Sequence, residues 1–100
     1  MRFDKEIYMQ SAPKRVYDEL SGDYIEEKPK EVKLYADVTD AKSETINIIY
    51  GQRKQGVLVI RLQQHYAAAF EFIRIGSRRY RVDYERRLRH KHVFVVSEVQ

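Results

Sequence analysis

One hundred residues fit one domain with a thin single core, and leave no room for a cofactor-binding domain beside a substrate domain. The chain has no cysteine, which excludes disulfides, thiolate metal sites and cysteine nucleophiles. Its net charge of +4 joins two unlike halves: residues 1–50 carry 8 Lys/Arg against 11 Asp/Glu, and residues 51–100 carry 11 against 4.

The start, Met1-Arg2-Phe3-Asp4, lacks the apolar core of a signal peptide. Apolar runs such as Val57 to Ile60 are far short of a bilayer span. The expectation is a protein that is soluble and intracellular when made.

Phe3, Ile7 and Met9 fall nearly on a period of two, with Asp4, Glu6 and Gln10 opposite. This predicts a first strand over about 3–10. Tyr8 interrupts the polar face, as a contact residue or an edge aromatic. Residues 11–30 are dense in charge and sparse in apolar residues, with a turn cluster at Ser21-Gly22-Asp23. They read as a long loop, or as a loose hairpin turning at 21–23. Long loops in compact domains are usually functional or disordered.

Val32, Leu34, Ala36 and Val38 alternate with Lys33, Tyr35 and Asp37, predicting a half-buried strand over about 31–39. Thr39-Asp40 offers side-chain oxygens for a helix start. Ile46, Ile49 and Tyr50 share a helical face, and Gly51 suits a left-handed C-terminal position. Residues 41–50 read as a short helix, although the run Thr45 to Ile49 also suits a strand.

Further strands are predicted at 58–62, 70–75, 79–85 and 93–99. Gly76-Ser77 serves as a two-residue turn and 87–91 as a polar connection. With no βαβ rhythm, the expected fold is mostly β. It is one domain over 1–100, a small antiparallel barrel or sandwich with one short helix and a long N-terminal loop.

Catalytic and metal chemistry find little support. His90 and His92 share a strand face but lack a nearby third ligand, so they read as a solvated polar face. None of the five serines sits in a nucleophile elbow. The four glycines are isolated at turns and cannot form a phosphate cradle. The expectation is a protein that is not an enzyme and carries no cofactor or metal.

The dominant local signal is basic. Arg74, Arg78, Arg79, Arg81, Arg86, Arg87 and Arg89 surround Tyr80 and Tyr84. Tyr80, Val82 and Tyr84 share a parity that points both tyrosines into the core. The arginines would then line the opposite face, toward an acidic protein, toward DNA, or simply toward solvent. In the acidic half, Tyr17, Asp18, Glu19, Asp23, Tyr24, Glu26 and Glu27 form a candidate interaction loop. Tyr35 and Tyr66 are further interface candidates, because tyrosine supplies contact area with few rotatable bonds.

The order of segments resembles a known group. The residues that carry the likeness are the Gly22-Asp23-Tyr24 turn, the strand ending Ala36-Asp37-Val38-Thr39-Asp40, and the Tyr50-Gly51 helix end. Phe72-Ile73-Arg74-Ile75-Gly76 leading to Tyr80-Arg81-Val82, and the final Val95-Val96-Ser97-Glu98-Val99, complete it. Over about residues 1–99 they resemble the head–tail joining, or head-closure, proteins of siphophages, particularly those infecting low-GC Gram-positive bacteria. The resemblance implies a small β-barrel with a long loop and a short helix. It also implies a six- or twelve-fold ring below the portal and adaptor that retains packaged DNA and offers a platform to tail proteins. The location implied is the virion neck, after assembly in the host bacterial cytoplasm. In that setting the acidic 18–31 of one subunit is expected to approach the basic 74–92 of the next, or of the adaptor ring. The alternative is a free-standing nucleic-acid-binding β-barrel.

Overall fold

A computed structural model of the chain describes residues 2–11, 15–26, 30–52 and 54–99. The elements follow in order as β1 (Lys5–Gln10), β2 (Arg15–Tyr17), β3 (Tyr24–Glu26), β4 (Glu31–Asp40), α1 (Ser43–Tyr50), β5 (Val57–Leu62), β6 (Phe72–Ile75), β7 (Arg78–Arg87) and β8 (His92–Glu98). Six strands close an antiparallel barrel in the order β1-β4-β5-β8-β7-β6, with β6 returning to β1. Closure leaves the sheet without a full-length unpaired edge strand. Among the described residues β2 and β3 pair only with each other, so residues 15–26 of the segment predicted as a loop or loose hairpin form a hairpin.

The alternation seen in the sequence sets the barrel interior. Ile7 and Met9 of β1, Ala36 of β4, Ile60 and Leu62 of β5, Ile73 of β6, Tyr80 of β7, and Phe94 and Val96 of β8 form one buried cluster. β5 and β8 bury their outer faces as well. Val57, Val59 and Val95 lie under Ile46, Ile49 and Tyr50 of α1. This explains why both strands read as nearly continuous apolar runs. A helix of eight residues is marginal alone, and packing on this outer patch holds it.

α1 begins later than expected. Thr39 and Asp40 continue β4, and Lys42 occupies the N-cap without a side-chain cap bond. Pairing with Val59 and Leu58 keeps the two residues extended. At the other end Gly51 is left-handed at φ 70°, and its N–H reaches the Asn47 carbonyl at 2.9 Å. Gly76, at φ 59°, turns β6 into β7.

One irregularity reorganises the second half of the barrel. The β7–β8 register shifts between Val82 and Tyr84, where Asp83 is the extra residue of a β-bulge. Tyr80 and Val82 point inward as expected, but beyond the bulge the parity reverses. Tyr84 is 48% exposed rather than a core residue. It pairs with outward Val95, while Glu85 pairs with inward Phe94.

Candidate functional site

The acidic candidates gather on the β2–β3 hairpin. Its tip is held by its own hydrogen bonds. The Asp18 N–H donates to the Asp23 carbonyl at 2.9 Å, and the Gly22 N–H donates to the Asp18 carbonyl at 2.9 Å. The Asp18 carboxylate accepts from the Leu20 N–H at 3.0 Å and from the Ser21 hydroxyl at 3.2 Å. This is an Asx-type turn, in which an acidic side chain stands in for a backbone acceptor. It leaves Leu20 fully exposed at the apex, beside exposed Glu19. Below the turn the rings of Tyr17 and Tyr24 meet edge to face at 5.4 Å, with both side chains largely in solvent. Glu27 and the Glu26 side chain lie outside the described residues.

The seven arginines do not share one face. Four lie on β6 and the first half of β7, where each has an intramolecular partner. Arg74 grips Glu31 with Nε–Oε2 at 2.6 Å and Nη2–Oε1 at 3.3 Å. Its guanidinium also sits 4.1 Å from the centre of the Tyr8 ring. That answers the question about Tyr8, which is a stacking partner joining β1 to β6. The hydrogen bond from Arg74, helped by one from Gln10, holds the Glu31 carboxyl below its ordinary value, and the same bond raises Arg74. Arg78 approaches Glu98 at 3.8 Å, Arg79 lies over the Phe72 ring at 5.0 Å, and Arg81 meets Asp83 at 3.1 Å. Arg86, Arg87 and Arg89 lie at the far end of β7 and in the following turn, about 25 Å away at strand rise. They are exposed and have no ion-pair partner among the described residues.

Two polar clusters were not foreseen. His92 is fully buried, not part of a solvated face, while His90 is exposed in the turn. The His92 Nδ1 accepts the Tyr66 N–H at 3.1 Å. Its Nε2 lies 3.0 Å from a Glu85 oxygen, and the geometry calls for the Nε2–H tautomer. The His65 ring lies 5.9 Å from His92 and bonds the Leu88 carbonyl. The cluster fastens the 63–71 connection across the barrel mouth. A signal for it was present, since His92 shares parity with Phe94 and Val96. Its acidic partner was hidden, because only the bulge turns Glu85 inward.

The second cluster surrounds the bulge. The Tyr50 hydroxyl donates to Asp83, and Arg81 reaches both Asp83 and, at 3.3 Å, the buried Ser97 hydroxyl. Burial opposes the Asp83 charge, but hydrogen bonds with Ser97 and Tyr50 and the charges of Arg81 and Lys54 outweigh it, so its pKa falls. Burial, then the bond to Asp83, pushes Tyr50 up to about 12. Every member has a structural partner, and no nucleophile–base pair aimed at open space results.

Where β4 and β5 part company, below the Asp37–Arg61 pair, a cleft of about 310 Å³ opens. Leu34, Leu62 and Tyr66 line it, with Gln63, Gln64 and His65 at its lip. Tyr66 is therefore a cleft wall, half-buried against Phe70 at 5.6 Å, whereas Tyr35 is exposed at the rim. A shallower hollow adjoins through the same three polar residues and ends at Arg89 and His90. Among the described residues no group of three His, Asp or Glu converges as metal ligands, and no helix is long and apolar enough to cross a membrane. Compared with protein-family models, curated proteins and solved structures, the chain matches none.

Proposed function

We propose that this chain is a structural connector of a tailed-phage neck. In this reading it forms a ring below the portal and adaptor, retains packaged DNA and offers the tail its attachment platform, without catalysis. The observation that carries the reading is the separation of two unlike surfaces on one small barrel. One is a hairpin arm with acidic residues and exposed Tyr17, Leu20 and Tyr24. The other is the basic end of β7 with Arg86, Arg87 and Arg89. Two different, complementary patches on one chain make head-to-tail contacts, which close into rings. The small barrel with one short helix also agrees with the architecture that the sequence resemblance implies.

Electron microscopy of the protein mixed with the portal–adaptor complex of the phage that carries its gene tests this. A six- or twelve-fold ring on the complex is the expected result. A complex that takes up none of the chain overturns the reading.

The second reading, a free-standing nucleic-acid-binding barrel, draws on Tyr84. The bulge turns this ring outward, two residues from Arg86 on the same strand face. Exposed rings beside cations can stack bases and hold phosphates. Fluorescence anisotropy with a DNA single strand of about 30 nucleotides, across a salt series, separates the readings. Micromolar affinity with a steep salt slope favours the nucleic-acid barrel, and weak binding by the free chain favours the connector.

A further inference from the structure

We propose that the hairpin tip is a preformed anchor, and that it seats Leu20 in the cleft between β4 and residues 62–66 of a second copy of this chain. The inference rests on the ring-forming part of the reading above, that copies meet head to tail. Three observations carry it.

The first is the build of the tip. Leu20 is 99% exposed, yet the turn beneath it is fixed by five hydrogen bonds within residues 18–23. A turn held by its own hydrogen bonds, with a leucine at its apex, suits a binding element ordered before it binds. Preorganisation reduces the entropy lost on association.

The second is the cleft. Leu34, Leu62 and Tyr66 give it an apolar floor, and its volume of about 310 Å³ exceeds what one leucine side chain needs. It also borders a free backbone edge. β4 pairs with β5 only from Asp37 onward, so on that side its residues 31–36 have no strand partner among the described residues.

The third is charge. Asp18, Glu19 and Asp23 flank Leu20, whereas the lip of the cleft continues into Arg89 and His90, with Arg86, Arg87 and Lys91 close by in sequence. The turn over 86–91 contains four Arg/Lys and no Asp or Glu. An apolar plug ringed by acids therefore meets an apolar cleft rimmed by bases. Opposite charge speeds encounter and fixes register, while desolvation of the leucine supplies the attraction.

The absence of cysteine makes a direct test available. Glu19→Cys in one chain, which keeps Leu20, and Gln64→Cys in another are mixed as purified proteins under mild oxidant. Glu19→Cys mixed with Ser43→Cys, on the first residue of α1, is the control. All three positions are exposed, so the substitutions leave the fold intact. The seat predicts that the 19–64 disulfide forms at least tenfold faster than the 19–43 disulfide. Adding Leu20→Asn and Asp23→Lys to the Glu19→Cys chain should remove that advantage. Equal rates for the two pairs, or an advantage untouched by these two changes, overturn the proposal. A ring on the portal–adaptor complex without 19–64 preference removes this seat and leaves the connector standing. A preferred disulfide with no binding to that complex keeps the seat and ends the phage reading.

Discussion

Tyr50 donates a hydrogen bond to Asp83, which ties the last residue of α1 to the one residue in the β7–β8 ladder that has no partner on β8. The helix and the bulge thus support each other. Tyr50→Phe keeps the ring on Val57, Val59 and Val95 and removes only the donor. Loss of a hydrogen bond to a partly buried carboxylate should lower unfolding free energy by about 1–2 kcal/mol. Urea denaturation at neutral pH measures it, and a change within ±0.3 kcal/mol, about the noise of such data, would mean that the bond is idle.

The same pair predicts two pH edges. Tyr50 is raised to about 12 in the fold against an ordinary 10.0, so the folded state holds its proton longer. Stability from this group is complete below pH 10 and disappears as pH climbs toward 12. Asp83 is lowered, so its contribution is complete above its ordinary 3.8 and disappears as pH falls through the folded value. The difference between wild type and Tyr50→Phe should therefore narrow at both extremes. A difference that is flat from pH 3 to 11 would contradict the assignment.

Deleting Asp83 should cost little more than replacing it. Asp83→Ala removes a carboxylate but keeps the residue count. The deletion removes the extra residue, so Val82 stays opposite Val96 and Tyr84 opposite Val95, with Tyr84 outward and Glu85 still beside His92. Each change loses the carboxylate bonds and is expected to cost about 1–2 kcal/mol. Inserting one alanine after Tyr84 instead shifts every later residue of β7 and inverts its facing, and should cost at least about 3 kcal/mol, in the range of severe core lesions. Thermal unfolding by circular dichroism ranks the three, and a deletion as damaging as the insertion would show that Asp83 is not the extra residue of the ladder.

The bulge also marks the limit of what could be read from the sequence. Alternation located β1, β4 and β5 and placed Ile7, Met9 and Ile60 inside, because a period of two depends only on neighbours along one strand. The helical face Ile46, Ile49 and Tyr50 was legible for the same reason, through its 3.6 period. Parity then failed at Asp83, where one residue leaves the ladder for a tertiary reason, its bonds to Tyr50, Arg81 and Ser97. Tyr84 and Glu85 were misplaced together. The single arginine face dissolved likewise, because the partners of Arg74 and Arg78, Glu31 and Glu98, come from distant segments. The β2–β3 turn remained an open choice between loop and hairpin, since its bonds run between short polar residues without periodicity.

His92→Ala should destabilise the barrel by about 2–4 kcal/mol, since it opens a cavity and strands the Tyr66 N–H without an acceptor. Glu85→Gln keeps an acceptor for the His92 Nε2–H and, with its side chain half in solvent, should cost less than about 1 kcal/mol. Hydrogen exchange at Tyr66 distinguishes local from global loss. Faster exchange there in His92→Ala, beyond the global change, is expected if His92 fastens the 63–71 connection.

Reversing Arg86, Arg87 and Arg89 to Glu probes function separately from folding. The three side chains are exposed and have no ion pair among the described residues, so stability should change by no more than about 0.5 kcal/mol. Assembly should respond strongly, because like charges would face one another across a head-to-tail contact. Wild-type association should weaken as salt rises, since exposed charges are screened over about 10 Å at 0.1 M. The triple variant should lose that dependence. Sedimentation of both proteins across a salt series, at concentrations where the wild type associates, reads the effect. Arg74→Glu is the internal contrast. It breaks the fork to Glu31 and the Tyr8 stack, so it should lower the urea midpoint and spare the salt dependence. If the Arg86/Arg87/Arg89 variant sediments like the wild type at every salt concentration, the basic end of β7 makes no contact between copies.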